Sequence, residues 1–364
     1  MQNAIKFGIA AAIVIAVIAS SLVAQSPGKK GAIAAADNFT MSASAGQAKI
    51  LRIGYFPNIS HAQAVIGFGT GDFQKMLGRN ITVQTQIFNA GPSAIEALFG
   101  RQIDVAYIGP NPTINGYIRS DGQGLKIISG VASGGADFVV RTDAGIHSVK
   151  DFSDKKFGAP QLGNTQDVAL RKYLQDNGYK TAENGGNVTI IDATSAHIFT
   201  LIVNKQLDGA WVPEPWGAKL VDEANCTVFV DERTLWPHGD FVTAQIIVNP
   251  DYLTNNPDVI KKLLKAHVNE TNWINQNPDE AMLIFNTQLV TLTGKAIPQH
   301  ELKEGFSRLK LTYDPVKDSL YESANTAFDI GLLGSQRPDL TKPDIYDLSI
   351  LNQVLVEDGL RQVN

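Results

Sequence analysis

Cysteine is nearly absent from this sequence: Cys226 is the only thiol among 364 residues, so no intrachain disulfide can form. We expect that thiol to be packed in the core. The six histidines show neither HxxxH nor HxH spacing, so we predict no metal site. A GxSxG nucleophile elbow and a P-loop are also missing, and we therefore predict neither catalytic residues nor a bound cofactor.

The sequence also lacks an excess of basic residues. Lys and Arg total 31 against 36 Asp and Glu, which gives a formal net charge of −5. A nucleic-acid-binding protein needs a basic face, so we expect no nucleic-acid partner. With 44% hydrophobic and 18% charged residues, the chain has the composition of a globular protein and is long enough for about two domains.

The first residues carry a long apolar run. Phe7–Ala24 follows Lys6 and contains no acidic residue, which predicts that residues 1–24 are a signal peptide or an N-terminal membrane anchor. Residues 25–49 are rich in Ala, Gly and Ser and are expected to form a flexible tether. Under both alternatives for residues 1–24, the remainder lies outside the cytoplasm.

Short β-like runs alternate with helical patterns from Ile50 onward, which indicates an α/β fold with mostly parallel sheets flanked by helices. After Pro250 we predict helices only, beginning with Pro257–Gln276. The predicted strands are Ile50–Tyr55, Ile81–Phe88, Ile103–Ile108, Leu125–Val131, Phe138–Arg141, Lys156–Ala159, Val188–Ile191, Leu207–Val212, Thr227–Val230 and Val242–Val248.

One phrase occurs twice. "QIDVAYIGPNP" at 102–112 and "QLDGAWVPEPW" at 206–216 align at an offset of 104 residues, and each predicts a helix, a tight turn and a strand. Two copies indicate two similar α/β lobes rather than an array of short repeats. Ligands of open parallel sheets bind at the carboxyl ends of strands, so the residues after both strands are expected to face a cleft.

Four segments resemble a known family: "LRIGYFPNISHAQAVIGFGTGDF", "ALFGRQIDVAYIGPNP", "LGNTQDVALRKYL" and "LDGAWVPEPWGAKLV". They look like the solute-binding proteins of ABC importers for nitrate, sulfonate, taurine and bicarbonate, over about residues 50–290. The resemblance implies a two-lobe periplasmic-binding-protein type II fold. We expect lobe one to be residues 50–137 plus 240–364, with a helical C-terminal extension, and lobe two to be 138–239. The crossings are placed near Phe138–Arg141 and Gly239–Ala244, which are extended apolar runs.

The strongest local signal is a helix start at Asn164, Thr165 and Gln166, just after a predicted strand. Free N–H groups and the positive end of the helix dipole there suit an anion. The alternative is that these side chains only cap the helix.

Further candidates are Asn58, His61, Ser93 and Ser133. His61 would donate to an anion or a ligand hydroxyl, and Ser133 precedes glycines that let backbone amides approach a ligand. Ordinary packing and turn formation are the alternatives for all four.

The second copy of the repeat places a carboxylate and an aromatic side chain after its strand. Glu214 would either cap the following helix or pair with a ligand ammonium, while Trp216 would pack on the ligand's alkyl part. The first copy offers Asn111 at the corresponding strand end. Trp211, inside the strand, is expected in the core.

These observations favour a binding protein over an enzyme. The expected ligand is an aliphatic sulfonate or taurine, bound between the lobes of a monomer and delivered to a membrane permease. Nitrate or bicarbonate is the alternative ligand within the family. A further alternative is an enzyme or precursor binder on the same fold, similar to the thiamine-pyrimidine-forming type.

Overall fold

The computed structural model describes residues 49–364. The predicted signal or anchor and the predicted tether up to residue 48 lie outside the described residues. Within residues 49–364, no helix combines the length and the apolar character that crossing a bilayer requires.

Eleven strands form two sheets in the part of the chain that the structure describes. The strands are β1 (Lys49–Tyr55), β2 (Ile81–Ile87), β3 (Val105–Ile108), β4 (Lys126–Gly134), β5 (Ala136–Arg141), β6 (Lys156–Ala159), β7 (Thr189–Asp192), β8 (Gly209–Pro213), β9 (Cys226–Asp231), β10 (Val242–Val248) and β11 (Leu309–Leu311). The first sheet has the order β11-β4-β10-β3-β1-β2, and the second has the order β7-β6-β8-β5-β9.

Helices connect and cover these strands. They are α1 (Ala62–Gly69), α2 (Asp72–Leu77), α3 (Gly91–Phe99), α4 (Pro110–Arg119), α5 (Thr165–Asp176), α6 (Ser195–Val203), α7 (Trp216–Glu223), α8 (Pro250–Asn255), α9 (Pro257–Gln276), α10 (Pro278–Thr293), α11 (Gln299–Ser307), α12 (Lys317–Asp329) and α13 (Ser349–Glu357). Short 3-10 turns include Ile59–His61, directly before α1.

The prediction was an α/β fold with two lobes and mostly parallel sheets. Both sheets contain strands of both directions, and most strands in each sheet run the same way. β1 pairs parallel with β2 and β3, and β6 pairs parallel with β7 and β8. β10 lies antiparallel between β3 and β4, and β5 lies antiparallel between β8 and β9. β10 and β5 therefore run opposite to the strands on both of their sides. Most strands of each sheet still run in one direction.

The chain passes from one sheet to the other at a pair of glycines. Gly134 and Gly135 have φ values of +79° and +80°, which favour glycine, and a Cβ on Gly134 would lie 2.8 Å from the Arg308 carbonyl oxygen. The chain returns between Asp231 and Val242. We call residues 49–134 and 242–364 the first lobe and residues 136–231 the second lobe. The domain boundaries expected from the sequence stay a prediction.

Each lobe has its own apolar core. The first lobe packs its sheet against helices that include α1, α3 and α9, around residues such as Ile53 and Leu263. In the second lobe, Phe138 of β5 stacks on Trp211 of β8 with ring centroids 5.3 Å apart. Trp211 is fully buried, as predicted. Cys226 is also buried, and burial raises the pKa of its thiol to about 12.

All ten predicted strands are present, with ends shifted by at most a few residues. The prediction that strands stop after Pro250 is wrong, because β11 (Leu309–Leu311) pairs with the end of β4. α11 ends at Ser307, two residues before β11 begins. Three residues are too few for a period-two pattern to be recognisable, and an exposed edge of β4 supplies the pairing.

Candidate functional site

A cavity of about 50 Å³ lies between the two lobes, where four helices begin. α3 and α4 belong to the first lobe, and α5 and α6 belong to the second. Fifteen residues line it: Phe56, Asn58, Ser60, His61, Asn89, Ala90, Gly91, Gly109, Pro160, Asn164, Thr165, Gln166, Ser195, Pro213 and Thr243. None of these is Lys, Arg, Asp or Glu, so the wall carries polar groups without formal charge.

Three of these helices begin without a side-chain cap. Their N-cap residues, Ala90, Gly109 and Asn164, have extended backbone, and none of their side chains accepts a hydrogen bond from the first turn. The first N–H groups of such a helix have no partner within the helix, and they carry the positive end of its dipole. Pro92 in α3 and Pro110 and Pro112 in α4 lack an N–H, so these two starts offer fewer donors than α5. The starts of α3, α4 and α5 therefore make the cavity favourable for an anion.

The fourth helix, α6, is capped. The Thr194 hydroxyl accepts a hydrogen bond from the His197 backbone N–H at 3.3 Å. Ser195, the next residue, lines the cavity and is half-buried. Its side chain adds a hydroxyl that can donate to an anion from the second lobe.

Two buried side chains on the cavity wall have polar atoms without a hydrogen-bond partner. These atoms are Thr165 Oγ1 and His61 Nδ1, on residues that are 8% and 4% exposed. Leaving a buried polar atom unpaired costs about 1–3 kcal/mol. A ligand that satisfies these atoms on binding would remove part of that cost.

Burial controls the charge of His61. Loss of hydration lowers the pKa of the His61 imidazole to about 3, so the ring is neutral near physiological pH. The ring packs edge-on against Phe56, with centroids 5.0 Å apart. A neutral imidazole offers one N–H donor and one lone pair, so His61 can take part in hydrogen bonds without adding charge to the cavity.

The lobes approach each other closely at the cavity. A Cβ placed on Gly109 would lie 2.5 Å from Thr165 Oγ1, across the two lobes. The φ of Gly109 is −74°, which any residue adopts, so space rather than backbone conformation requires glycine here. The contact brings the starts of α4 and α5 together at the cavity.

The structure brings half of the predicted site residues together. Asn58, His61, Asn164, Thr165 and Gln166 all line the cavity. Whether they bind a ligand stays a prediction, but their shared position gives that prediction a physical site.

Three other predicted residues lie elsewhere. Ser93 is exposed on α3, away from the cavity wall. Asn111 is buried within α4, where its side-chain amide faces the Ser323 carbonyl of α12. The Ser133 hydroxyl accepts the Phe241 backbone N–H at 3.1 Å, which stabilises the passage between the lobes. Each of them has a structural role or an exposed position instead of a place in the cavity.

Glu214 and Trp216 also lie outside the cavity wall. The Glu214 carboxylate is fully buried and accepts from Arg308 Nη1 at 2.7 Å and from the Ala218 backbone N–H at 3.1 Å. The bond from Ala218, in the first turn of α7, corresponds to the helix-capping role that the sequence analysis gave as the alternative for Glu214. Trp216 is half-buried against the small apolar cluster that contains Ile198. Both side chains therefore contact other parts of the protein, and a ligand-binding role for either of them stays a prediction.

Arg308 connects the lobes through buried carboxylates. Its Nη1 also donates to Asp137 Oδ2 at 2.6 Å, and both Asp137 and Glu214 belong to the second lobe. Burial, followed by the neighbouring Asp137, raises the pKa of Glu214 to about 8. Burial also raises the pKa of Asp137. This Arg308 cluster links the lobes, and none of its three residues lines the cavity.

Sequence reasoning missed several cavity residues, including Gly91, Ser195 and Thr243, whereas Gly109 and Pro213 directly follow the two repeated strands, where a cleft was expected. A signal for one of the missed residues was present. Ser195 and Pro213 lie 104 residues after Gly91 and Gly109, which is the offset of the repeated phrase. Extending the repeat to both sides would have selected these positions.

A larger cavity of about 890 Å³ lies beside α5, α12 and the segment 232–240. Its lining includes Asp176, Asp240, Asp318 and Glu322, with Lys172 paired to Asp176. The excess of carboxylates there opposes an anion. None of the ten predicted site residues lines this second cavity.

Comparison with solved structures establishes the fold. The alkanesulfonate-binding protein SsuA from Xanthomonas axonopodis pv. citri, bound to MOPS, superposes with a TM-score of 0.67 at 17% identity, covering 80% of this chain and 96% of its own. The periplasmic nitrate-binding protein NrtA from Synechocystis PCC 6803 superposes with a TM-score of 0.67 at 17% identity, covering 87% of this chain and 92% of its own. The two-lobe periplasmic-binding fold predicted from the sequence is thereby confirmed.

Similarity in sequence identifies the family. A protein of Brucella abortus (strain 2308) named "Putative binding protein" is 24% identical over 244 residues, which is 64% of this chain and 71% of that protein. The model of the NMT1-like family matches residues 44–287, which cover more than half of the chain and all four helix starts at the cavity. The protein belongs to the NMT1-like family.

Proposed function

We propose that this protein is the extracytoplasmic solute-binding receptor of an ABC importer and that it binds a small oxyanion in the cavity between its lobes. One observation carries the proposal: helices from both lobes begin at a cavity that has polar walls and no charged side chain. Backbone N–H groups at helix starts stabilise anions without a counter-charge. The names of the structural neighbours, an alkanesulfonate-binding and a nitrate-binding protein, support the same class of ligand.

The size and charge of the cavity favour a compact, singly charged ligand. A volume of about 50 Å³ has room for a few water-sized groups, since about 10–15 Å³ of such volume holds one water molecule. The three uncapped helix starts supply roughly half a positive charge each, which together offset one negative charge in full and two only in part. These quantities favour an ion of the size of nitrate or bicarbonate, the alternative ligands of the sequence analysis.

Taurine and longer sulfonates are less favoured. Their recognition would need room for an alkyl chain, and taurine also needs a partner for its ammonium group. Glu214, the carboxylate expected to supply that partner, pairs with Arg308 instead. We therefore rank a sulfonate head group below a planar oxyanion.

Transport function would follow from the two-lobe arrangement. The contact between Gly109 and Thr165 joins the lobes at the cavity, so a bound ion would be released when the lobes separate at the permease. The apolar run at 7–24 supports placement outside the cytoplasm. Binding and release need no catalytic step, and none is proposed.

The direct test is calorimetric titration of the purified full-length protein with nitrate, bicarbonate, methanesulfonate and taurine. We expect saturable binding of nitrate or bicarbonate that exceeds binding of taurine. Thr165→Val removes the unpaired hydroxyl with little change in shape and should weaken binding roughly 10-fold or more. Ser93→Ala removes an exposed hydroxyl from α3 and is the matched control, with unchanged affinity expected.

Three results would contradict the proposal. They are the absence of binding of all four ligands, equal affinities for Thr165→Val and the unaltered protein, and chemical turnover of a bound ligand. Preferential binding of taurine would retain the receptor but reject the choice of a small planar ion.

A further inference from the structure

A side-chain cluster far from the cavity has the ligands of a metal site. Asp222 lies near the end of α7, and His300 and Glu301 lie in the first turn of α11. His300 Nε2 is 3.0 Å from Asp222 Oδ2, and one ligand atom from each of the three residues lies within 4.8 Å of the others. Imidazole nitrogen and carboxylate oxygen are both ligands of Zn²⁺.

Glu301 is the independent sign that this cluster holds a ligand. The residue is 1% exposed, and neither of its carboxylate oxygens meets a hydrogen-bond donor, because the neighbouring side chain is a second carboxylate, Glu223. Its nearest cation, Lys219, is paired with Glu223. A buried carboxylate without partners is costly, so an ion that binds this oxygen pair would remove the cost.

The local charge matches a divalent cation. With Glu301 ionised, as it would be when it binds a cation, Asp222, Glu223 and Glu301 carry three negative charges, and Lys219 carries one positive charge. His300 binds metal in its neutral form. The cluster therefore has an excess of two negative charges, and the exposed Asp222 and His300 leave a route for the ion from solvent.

We infer that Asp222, His300 and Glu301 form a binding site for a divalent metal ion of the Zn²⁺ type, with its remaining coordination filled by water. Three protein ligands plus water are the pattern of an open zinc site. Zn–ligand distances of about 2.0–2.1 Å place tetrahedral ligand atoms about 3.3 Å apart. The Asp222–His300 pair is already near that separation, and rotation of exposed side chains supplies the remaining adjustment.

The site would tie the lobes together. α7 follows β8 of the second sheet, whereas α11 leads into β11 of the first sheet. The same two helices contact each other near the Arg308 cluster. A bound ion would thus hold α11 against α7 independently of any ligand in the cavity.

The test uses purified full-length protein that has been stripped with a chelator and titrated with Zn²⁺ alone. We expect one equivalent to bind with a micromolar or tighter dissociation constant, to remain after dialysis and to raise the thermal unfolding midpoint. His300→Ala and Asp222→Asn change exposed side chains, so they should fold normally while weakening Zn²⁺ binding about 10-fold or more. Glu301→Gln should weaken it at least as much.

His147→Ala is the matched control. His147 is exposed and lies near the carboxylate of Asp151, but it belongs to no three-residue cluster among the described residues. We expect Zn²⁺ affinity to be unchanged in this variant. The inference is overturned if the unaltered protein binds no Zn²⁺, if His300→Ala or Asp222→Asn binds as tightly as the unaltered protein, or if His147→Ala weakens binding equally. Absence of binding would leave a proton shared by Glu301 and Glu223 as the explanation of the buried carboxylate.

Discussion

The two lobes contain the same unit, built twice with the same hydrogen bonds. In the first lobe Asp104 accepts the Arg52 backbone N–H at 2.9 Å, and in the second Asp208 accepts the Lys156 backbone N–H at 2.8 Å. Each aspartate and each partner is separated from its counterpart by 104 residues. The turns agree as well, because Arg101 and Lys205 have φ values of +56° and +57°. The repeated phrase therefore records a repeated structure.

The cavity is built on the same offset. Ten of its fifteen lining residues form five pairs separated by 104 residues. The pairs are Phe56 with Pro160, Ser60 with Asn164, His61 with Thr165, Gly91 with Ser195, and Gly109 with Pro213. His61 and Thr165, the two residues with unpaired polar atoms, are thus counterparts. Each lobe contributes the same backbone positions, while the side chains there differ.

The lobes differ most where the repeated strands end. After β3, Gly109 is followed at once by Pro110 and α4, which begins at the cavity. After β8, the chain continues through Glu214, which turns to Arg308 of the first lobe. Both strand ends reach the cavity, but the residues that follow begin a cavity helix in one lobe and connect the lobes in the other. A repeat in sequence predicts position in the fold but not the chemistry at that position.

The largest expected effect on the free energy of unfolding comes from removing Arg308, the first-lobe residue that pairs with Glu214. Arg308→Met leaves Asp137 and Glu214 buried without their cation, and we expect a loss of about 3–5 kcal/mol in the free energy of unfolding. Denaturant titration measures this loss. The control is Arg337→Met, which breaks an exposed pair with Asp329 and should cost less than about 1 kcal/mol. Similar losses in both variants would show that the Arg308 cluster is no more than a surface ion pair.

The second prediction concerns pH. Because the pKa of Glu214 is raised from 4.5 to about 8 in the folded protein, its contribution to stability is fully present below about pH 4.5 and is lost as the pH rises through about 8. One such group gives a slope of at most about 1.4 kcal/mol per pH unit. Glu214→Gln should flatten the stability profile between pH 4.5 and 8, as measured by denaturant titration at several pH values.

Glu304→Gln is the control for this profile. Glu304 also pairs with Arg308, at 2.8 Å, but its side chain is 57% exposed. We expect this variant to keep the profile of the unaltered protein. A Glu214→Gln profile that also matches the unaltered protein would mean that Glu214 is ionised in the fold.

The smallest expected effect is the difference in the free energy of unfolding between variants of two equivalent aspartates, Asp104 and Asp208. Asp104 is 4% exposed and also binds the Arg52 side chain, whereas Asp208 is half-buried and accepts from a backbone N–H. We expect Asp104→Ala to cost about 2 kcal/mol and Asp208→Ala about 1 kcal/mol in the free energy of unfolding. Thermal and denaturant unfolding would measure both. An equal or reversed order would show that the two units are not stabilised in the same way.

Several elements were predictable from the sequence because their signals are local. β6 and β10 and helix α9 have the predicted bounds, since apolar periodicity and an initial proline mark them within a few residues. The start of α5 at Thr165 was predictable for the same reason. In contrast, β11 depends on pairing with the edge of β4. Leu309 pairs with Gly134, which lies 175 residues earlier in the chain.

The candidate site likewise has residues whose position was predictable from local sequence and one residue whose position was not. Asn58, His61, Asn164, Thr165 and Gln166 follow strands and begin helices, and parallel strands bring such positions to one edge of a sheet. Glu214 satisfies the same pattern, yet it lies outside the cavity. Its direction depends on Arg308, which is 94 residues away in the chain. No local pattern contains that partner.

The sequence by itself therefore determined the alternation of strands and helices, the two similar lobes, the helix starts and the scarcity of charge at them, because these depend on neighbouring residues. Only the tertiary structure decided which helix starts meet at the cavity, which carboxylate pairs with Arg308 and which acids gather around His300. Those contacts join residues that are distant in the chain. Their partners are selected by packing and by the cost of burying an unpaired polar group, and both arise only when the lobes come together.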